Sequence, residues 1–517
     1  MPRPNVLIFM TDQQRGATLS PGHRLRAITP NFDRFREGAT VYENGYAPSP
    51  HCCPSRTSFF TGVYPSEHGV WNNVDVSNAL SRGPRPGTNH WSELFANAGY
   101  DLAFSGQWHV SSSSPPSDHG WSELYPAHSA KVRALDVDEQ RMAAREREVA
   151  TLRDATPSRT DAPRREGEIL RPGWPEYVLY GVDDIQAFDT EVVSHARDFV
   201  TNSAESETPW LLYVGTHGPH DPYEPPQHCL DLYDIDSITL SASFYDTMED
   251  KPALYRRTRR RFDQLTETEH REAIRHYLAH CTFEDELFGN ILAALEATGQ
   301  IENTIVVYVS DHGDYAGDHG LWGKGLPSFE GATQIPVAFR LTGDQTQGRV
   351  SEYPATLLDI GPTLLDLCGI PHSGMSGISL VEDLIAKVKC DARDVFLQSN
   401  GNELYGIQRT VISGDWKLVV NLYDDDELYN LNDDPEEITN LLHQPTVERR
   451  VGVAPLEDVP GPLRGVLEDL YGRLWRFALA HQDDIINTYI LTALATFGPM
   501  GSTDPHREDR EISHTTS

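Results

Sequence analysis

The run 303-NTIVVYVSDHGDYAGDHGLWGKG-325 decides the fold. Its first part, 304–310, is almost wholly β-branched, aromatic and apolar, without the alternation of a half-exposed strand. That is the pattern of a strand buried on both faces. Asp311 and His312 then follow at once. Three other runs share the design: 5-NVLIFM-10, 101-DLAFS-105 and 209-PWLLYVG-215. Between them lie helical patterns at 30–39, 91–100 and 271–299, the last ending at Gly299 as a C-terminal stop. Strands alternating with helices predict an α/β fold, a large mostly parallel sheet with helices on both faces.

The four strand ends carry the chemistry. Asp12 follows the first, Gln107 and His109 the second, His217 and His220 the third, Asp311 and His312 the fourth. Ligands of open α/β sheets bind outside the carboxyl ends of the strands, so these side chains predict one active site.

Length and composition set the frame. A chain of 517 residues, 38% hydrophobic and 23% charged, predicts two to four globular domains. A formal charge of −34 excludes nucleic acid and an anionic membrane as partners, since both would be repelled. Only six lysines are present: Lys131, Lys251, Lys324, Lys387, Lys389 and Lys417. An anionic substrate therefore needs positive charge built into its own site. The first apolar run has no basic front or cleavage site, and no run reaches about 18 apolar residues, which predicts a cytoplasmic protein. Cys52, Cys53, Cys229, Cys281, Cys368 and Cys390 are scattered, and reduced thiols are expected.

Residues 126–170 are charged and lack apolar periodicity, which predicts a surface insertion in a catalytic domain spanning 1–375, helical in part at 136–153. From 376 the texture changes. Alternation through 405–431, with turns at SGD and DDD, predicts antiparallel hairpins, and 462–481 a helix. These form a smaller C-terminal α+β domain, 376–500, before a disordered tail at 501–517.

One stretch is unusual: 51-HCCPSRTSFFTG-62. Pro54 suits the first turn of a helix, placing both cysteines at its N-terminus. Free N–H groups there are expected to lower a thiol pKa and to cradle an anion.

Around that stretch the chain resembles the type I sulfatases of the alkaline phosphatase superfamily. The resembling segments are 4–15, 29–70 (TPNFDRFREGATVYENGYAPSPHCCPSRTSFFTGVYPSEHGV), 99–109 (GYDLAFSGQWH), 216–223 (THGPHDPY), 303–325, 355–370 and 414–441. The resemblance implies an alkaline phosphatase-like fold and hydrolysis of an organic sulfate monoester, a small molecule or a saccharide. It implies that Cys52 of C-x-P-S-R is oxidised to formylglycine by a maturation enzyme, with Cys53 as the variable position. An aldehyde hydrate has one hydroxyl to attack sulfur and a second to expel sulfate afterwards. Arg56 would balance charge there. Asp12, Asp311 and His312 would hold a divalent cation with the Cys52-derived oxygen; Ca²⁺ is expected, with Mg²⁺ and Mn²⁺ as alternatives. His109 would take a proton, while His220 and Lys324 would serve the leaving oxygen. His217 would contact substrate.

Two departures stand out. Gln13 replaces a second aspartate common in the family, leaving an amide carbonyl to offer a cation. Gln107 replaces the lysine of a GKWH pattern and removes a charge that would grip sulfate. Phosphonate monoester hydrolases of the superfamily also lack that lysine, so a phosphonate monoester or phosphodiester is the rival substrate. A non-catalytic binder of sulfated ligands is the third reading.

Overall fold

A computed structural model of the chain describes residues 3–125, 146, 149–150, 163–171, 176–343, 348–386, 392–402, 404–443, 461–485 and 487. Most of the predicted insertion at 126–170, including nearly all of 136–153, and the whole 501–517 tail lie outside these residues.

The four apolar runs form strands β1 (Asn5–Thr11), β4 (Asp101–Gly106), β6 (Trp210–Gly215) and β7 (Thr304–Ser310), with short strands β2 (Thr40–Tyr42), β3 (Gly45–Tyr46) and β5 (Ser122–Tyr125) between them. Strands β8 (Val337–Arg340), β9 (Arg349–Ser351) and β10 (Ala355–Thr356) follow. Eight of these make one sheet in the order β5-β4-β6-β1-β7-β8-β2-β9. The five from β5 to β7 are parallel, as expected. At the far side β8 runs antiparallel to both β7 and β2, so the sheet is mixed. Segments of three or four residues hold too little pattern to reveal direction, which comes from pairing alone.

Strand β1 shows why its run had to be continuous. Leu7 and Phe9 enter one core, while Val6, Ile8 and Met10 enter the other, and all five are fully buried. The first core is covered by α1 (Pro30–Arg36) and the second by α2 (Cys52–Thr61) and α3 (Trp91–Asn97). Further on, α4 (Ala187–Asn202) and the long α5 (Glu267–Ala297) join the first core, and α6 (Ile360–Leu367) joins the second. A capping box starts α5: Thr266 Oγ1 accepts from the Glu269 amide, and the Glu269 carboxylate accepts from the Thr266 amide at 2.8 Å. Gly299, in the left-handed region at φ 71°, turns the chain out of that helix towards β7.

The predicted hairpins form a separate antiparallel sheet, β11 (Val395–Gly401), β12 (Tyr405–Ser413), β13 (Trp416–Asn421) and β14 (Glu427–Asn430). Helix α7 (Gly461–Ala480) packs its Leu470, Leu474 and Trp475 against Val411, Leu418 and Leu428 of that sheet. The five cysteines among the described residues are all buried and free. No helix among the described residues is long and apolar enough to cross a membrane.

Candidate active site

The carboxyl ends of β1, β4, β6 and β7 lie side by side in the sheet, so their trailing loops converge. All ten residues of α2 are buried, and Gly62 ends it at φ 70°. Cys52 opens the helix and projects into the space between the β1 and β7 loops. There the donor atoms of Asp12, Cys52, Asp311 and His312 lie within 4.8 Å of one another, all buried.

Arg56, one helical turn along α2, is no surface arginine: it is wholly buried. Its Nε donates to Asp311 Oδ2 at 2.8 Å, its Nη2 to Asp12 Oδ2 at 3.2 Å and its Nη1 to Tyr213 Oη at 3.0 Å. This leaves the Oδ1 atoms of both carboxylates facing His312 Nε2, at 3.5 and 3.6 Å. The His312 Nδ1–H donates to the Gly313 carbonyl at 2.9 Å, which fixes the tautomer and turns the Nε2 lone pair towards Cys52 Sγ, 3.2 Å away. Burial, reinforced by Lys324, holds the His312 pKa well below the usual imidazole range, so the ring is neutral. Burial also raises the Asp311 carboxyl, with Asp12 beside it adding to the effect. Burial opposes a charge on Asp12, but the positive charge around it, Arg56 and Lys324 included, outweighs burial and holds it well below the carboxylate range. Two carboxylates and a neutral imidazole around one point fit a divalent cation.

The helix N-terminus does not activate the thiol. Burial, and then the Asp12 carboxylate, push the Cys52 pKa upward, contrary to the expectation from α2 alone. A protonated, fully buried thiol is a poor nucleophile. Nor is Cys53 a bystander. Its sulfur lies within 4.8 Å of His109 and Asp75 donor atoms, and burial pushes its own thiol up to about 11. His109, at φ 51°, has Nε2 3.2 Å from Asp75 Oδ1. Burial opposes a charge on His109, but Cys53 and Asp75 outweigh it and hold its pKa well above the imidazole range.

On the β6 and β7 side, Lys324 Nζ donates to His220 Nε2 at 2.8 Å and to Gln13 Oε1 at 2.7 Å. Since His220 Nδ1–H donates to the Asp221 carbonyl at 2.6 Å, the ring is a neutral acceptor towards Lys324. Burial and Lys324 lower its pKa. The carbonyl oxygen of Gln13 is therefore directed at Lys324, while its amide donates to Asp221 at 3.1 Å and Asp314 at 2.5 Å. That places Gln13 between the Lys324 pair and the acidic floor, a different arrangement from the ligand role expected of it. Gln107 is half-buried, its Nε2 3.4 Å from His109 Nδ1, and its Oε1 has no hydrogen-bond partner among the described residues. His217 is exposed and stacks on His220 with ring centroids 5.0 Å apart.

A cavity of about 360 Å³ opens from Lys324 and His220. Ile169, Tyr177, Leu179, Phe262 and Trp322 line it, together with Arg171 and Arg261. Several of these contributors had no sequence signal of their own. Tyr213, Asp75 and Tyr177 carry no motif; Asp221 and Asp314 lay inside the quoted motifs, where spacing alone did not separate them from filler.

A mostly parallel α/β sheet with buried carboxylates, an imidazole and a buried thiol at its strand ends defines a hydrolase of the alkaline phosphatase superfamily. A family model for Sulfatase matches residues 4–370, and one for N-sulphoglucosamine sulphohydrolase, C-terminal, matches 317–452. The chain belongs to the type I sulfatase family, the sulfuric ester hydrolases. It is 29% identical over 460 residues to a choline-sulfatase of Rhizobium meliloti, covering 86% of this chain and 83% of that protein. An arylsulfatase of Clostridium perfringens is 27% identical over 467 residues, covering 87% of this chain and 92% of the other. Among solved structures, the phosphonate monoester hydrolase of Silicibacter pomeroyi superposes with a TM-score of 0.70 at 20% identity, covering 94% of this chain and 97% of that one. A sulfatase structure from Bacteroides thetaiotaomicron superposes with a TM-score of 0.67 at 19% identity, covering 93% of each chain. At such identities these two speak for the fold.

Proposed function

We propose that this sulfatase hydrolyses the sulfate monoester of a saccharide or other small alcohol, using formylglycine made from Cys52 by a separate maturation enzyme. The observation that carries this is the buried meeting of Cys52, Asp12, Asp311 and His312, with Arg56 bridging the two acids. The hydrated aldehyde of formylglycine supplies the nucleophilic hydroxyl and a second one for release of sulfate. A divalent cation, Ca²⁺ as the family resemblance implies, would be held by Asp12, Asp311 and His312 together with the Cys52-derived oxygen and supply Lewis acidity towards the ester oxygens.

The chain's own groups divide the remaining work. Arg56 favours the charged form of both carboxylates and orients them, so their outer oxygens face the reacting position. In its neutral form His109, made strongly basic by Asp75 and Cys53, accepts a proton during release of sulfate. On the opposite side Lys324 and His220 hold one mobile proton between Nζ and Nε2, and the pair delivers it to the alcohol oxygen as the S–O bond breaks. Gln13 orients Lys324 from behind. The cavity beyond this pair receives the alcohol: aromatic and aliphatic walls suit the face of a sugar or aryl ring, and the arginines suit an anionic substituent.

Gln107 favours one second reading. With an amide where a cation would clasp sulfate, a phosphonate monoester or phosphodiester is the competing substrate. The test is peptide mass spectrometry across residues 50–60 after co-expression with a maturation enzyme, paired with aryl sulfate, aryl phosphonate and diester assays. Conversion at Cys52, not at Cys53, with sulfate the best substrate is expected. Unmodified Cys52 in an active enzyme, or diester turnover far above sulfate turnover, overturns the proposal.

A further inference from the structure

Behind the turn that carries His217 and His220 lies a second group of metal-competent side chains. Asp189 comes from the first turn of α4, and His280 and Glu284 come from successive turns of α5. Their donor atoms lie within 4.8 Å of one another, and all three residues are buried, at 2, 4 and 0% exposure. Both ring nitrogens of His280 and both carboxylate oxygens of Glu284 have no hydrogen-bond partner among the described residues. Thr216 and Asp189 stand beside Glu284, and burial together with the Asp189 carboxylate raises the Glu284 carboxyl well above the usual carboxylate range. Among the described residues no lysine or arginine forms a salt bridge with either acid.

Two adjacent buried carboxylates without a counter-charge are strongly unfavourable, and so are buried imidazole nitrogens without partners. A proton shared between Asp189 and Glu284 would relieve the acids but leave the ring of His280 unsatisfied. A cation would use all three. Burial above all pulls the His280 pKa down to about 3, which keeps the ring in its neutral, ligating form. The backbone is also shaped around this point. A Cβ at residue 218 would fall 2.1 Å from Glu284 Oε1 and 2.7 Å from His280 Nε2, so only glycine fits above it.

We propose that Asp189, His280 and Glu284 form a second, internal site for a divalent transition-metal ion of the zinc or manganese class, separate from the Cys52 centre. Without the further oxygen that residue 52 would offer at the first centre, two carboxylates and one imidazole supply few oxygens for calcium and suit an ion content with a small mixed donor set. The site is a positioning device. Asp189 accepts the backbone N–H groups of His217 at 2.6 Å and Gly218 at 2.9 Å, so an ion bound to its carboxylate fixes the turn that presents His220.

Metal counting tests this independently of sulfatase activity. The chain is loaded with Mn²⁺ or Zn²⁺, freed of excess ion and analysed by plasma mass spectrometry, alongside Glu284→Gln, His280→Gln and Asp311→Asn. Wild type is expected to hold one ion more per chain than either Glu284→Gln or His280→Gln. Asp311→Asn is expected to keep an ion that Glu284→Gln loses, and circular dichroism checks that each variant is folded. An anomalous-scattering map of wild-type crystals soaked in Mn²⁺ should show a peak between residues 189, 280 and 284, which decides the matter even if a variant fails to fold. Equal metal counts in wild type and Glu284→Gln, or an anomalous peak beside Asp12 alone, overturns the proposal in favour of a shared proton.

Discussion

Replacing Asp318 with Asn probes the link between the β1 and β7 loops, on which the whole site depends. Arg15 lies three residues past Asp12, and Asp318 lies on the loop that begins with Asp311. Arg15 Nη1 donates to Asp318 Oδ2 at 2.5 Å, and Arg24 pairs with the other oxygen. The contact favours the charged form of both arginines; it prevails over burial in Arg15, whereas in Arg24 burial and the neighbouring Arg15 outweigh it. Despite burial, the two guanidinium groups bring the Asp318 pKa from 3.8 down to about 2. A lowered carboxyl pKa contributes stability that is present above 3.8 and lost as pH falls through about 2. The drop is worth about 2 kcal/mol at pH 7 and only about 1 kcal/mol at pH 3. Unfolding entropy of about 2.1 cal/mol/K per residue over this length makes that about 2 °C in melting temperature. Differential scanning calorimetry of wild type and Asp318→Asn at both pH values reads it. A variant melting within half a degree of wild type at pH 7, or a gap unchanged at pH 3, would refute the reasoning.

Lys324→Met should lower kcat for an alkyl sulfate by roughly 10²–10³ and for p-nitrophenyl sulfate much less, because nitrophenolate leaves without a proton; equal losses on both would remove Lys324 from the leaving-group side. The same variant should raise the His220 pKa, since the charge that lowers it is gone, and histidine NMR titration reads the shift. Gln107→Lys should raise kcat/KM for aryl sulfate relative to aryl phosphonate by about tenfold or more, as a charge-assisted contact replaces a neutral one; an unchanged ratio means residue 107 does not touch the transferred group. Cys53→Ala should leave conversion at Cys52 intact and bring the His109 pKa down, read in the NMR titration of that ring; a fixed His109 pKa would show that Asp75 alone sustains it.

Much of the fold is written locally. The buried strands Asn5–Thr11 and Thr304–Ser310 announce themselves because both faces are covered, and α5 carries its own capping box and stop. The reversed strand β8 does not, since Val337–Arg340 would read alike in either direction. Site residues showed the same division. Asp12, Cys52, Arg56, His109, His220, Asp311, His312 and Lys324 could be picked out by motif and strand-end position. Their states could not: the thiol expected to be acidified at a helix start is pushed the other way by burial, and Gln13 turned to Lys324.

The sequence by itself determined the α/β alternation, the strand ends that bear polar groups and the family to which the chain belongs. Those follow from short-range pattern, where neighbours along the chain settle the outcome. Only the tertiary structure decided that Arg56 lies between Asp12 and Asp311, that Cys53 lies against His109 and Asp75, and that Asp189, His280 and Glu284 meet. A protonation state or a shared ligand set depends on desolvation and on charges a few ångströms away. Those neighbours are brought together across tens to hundreds of residues by the packing of the sheet and its helices.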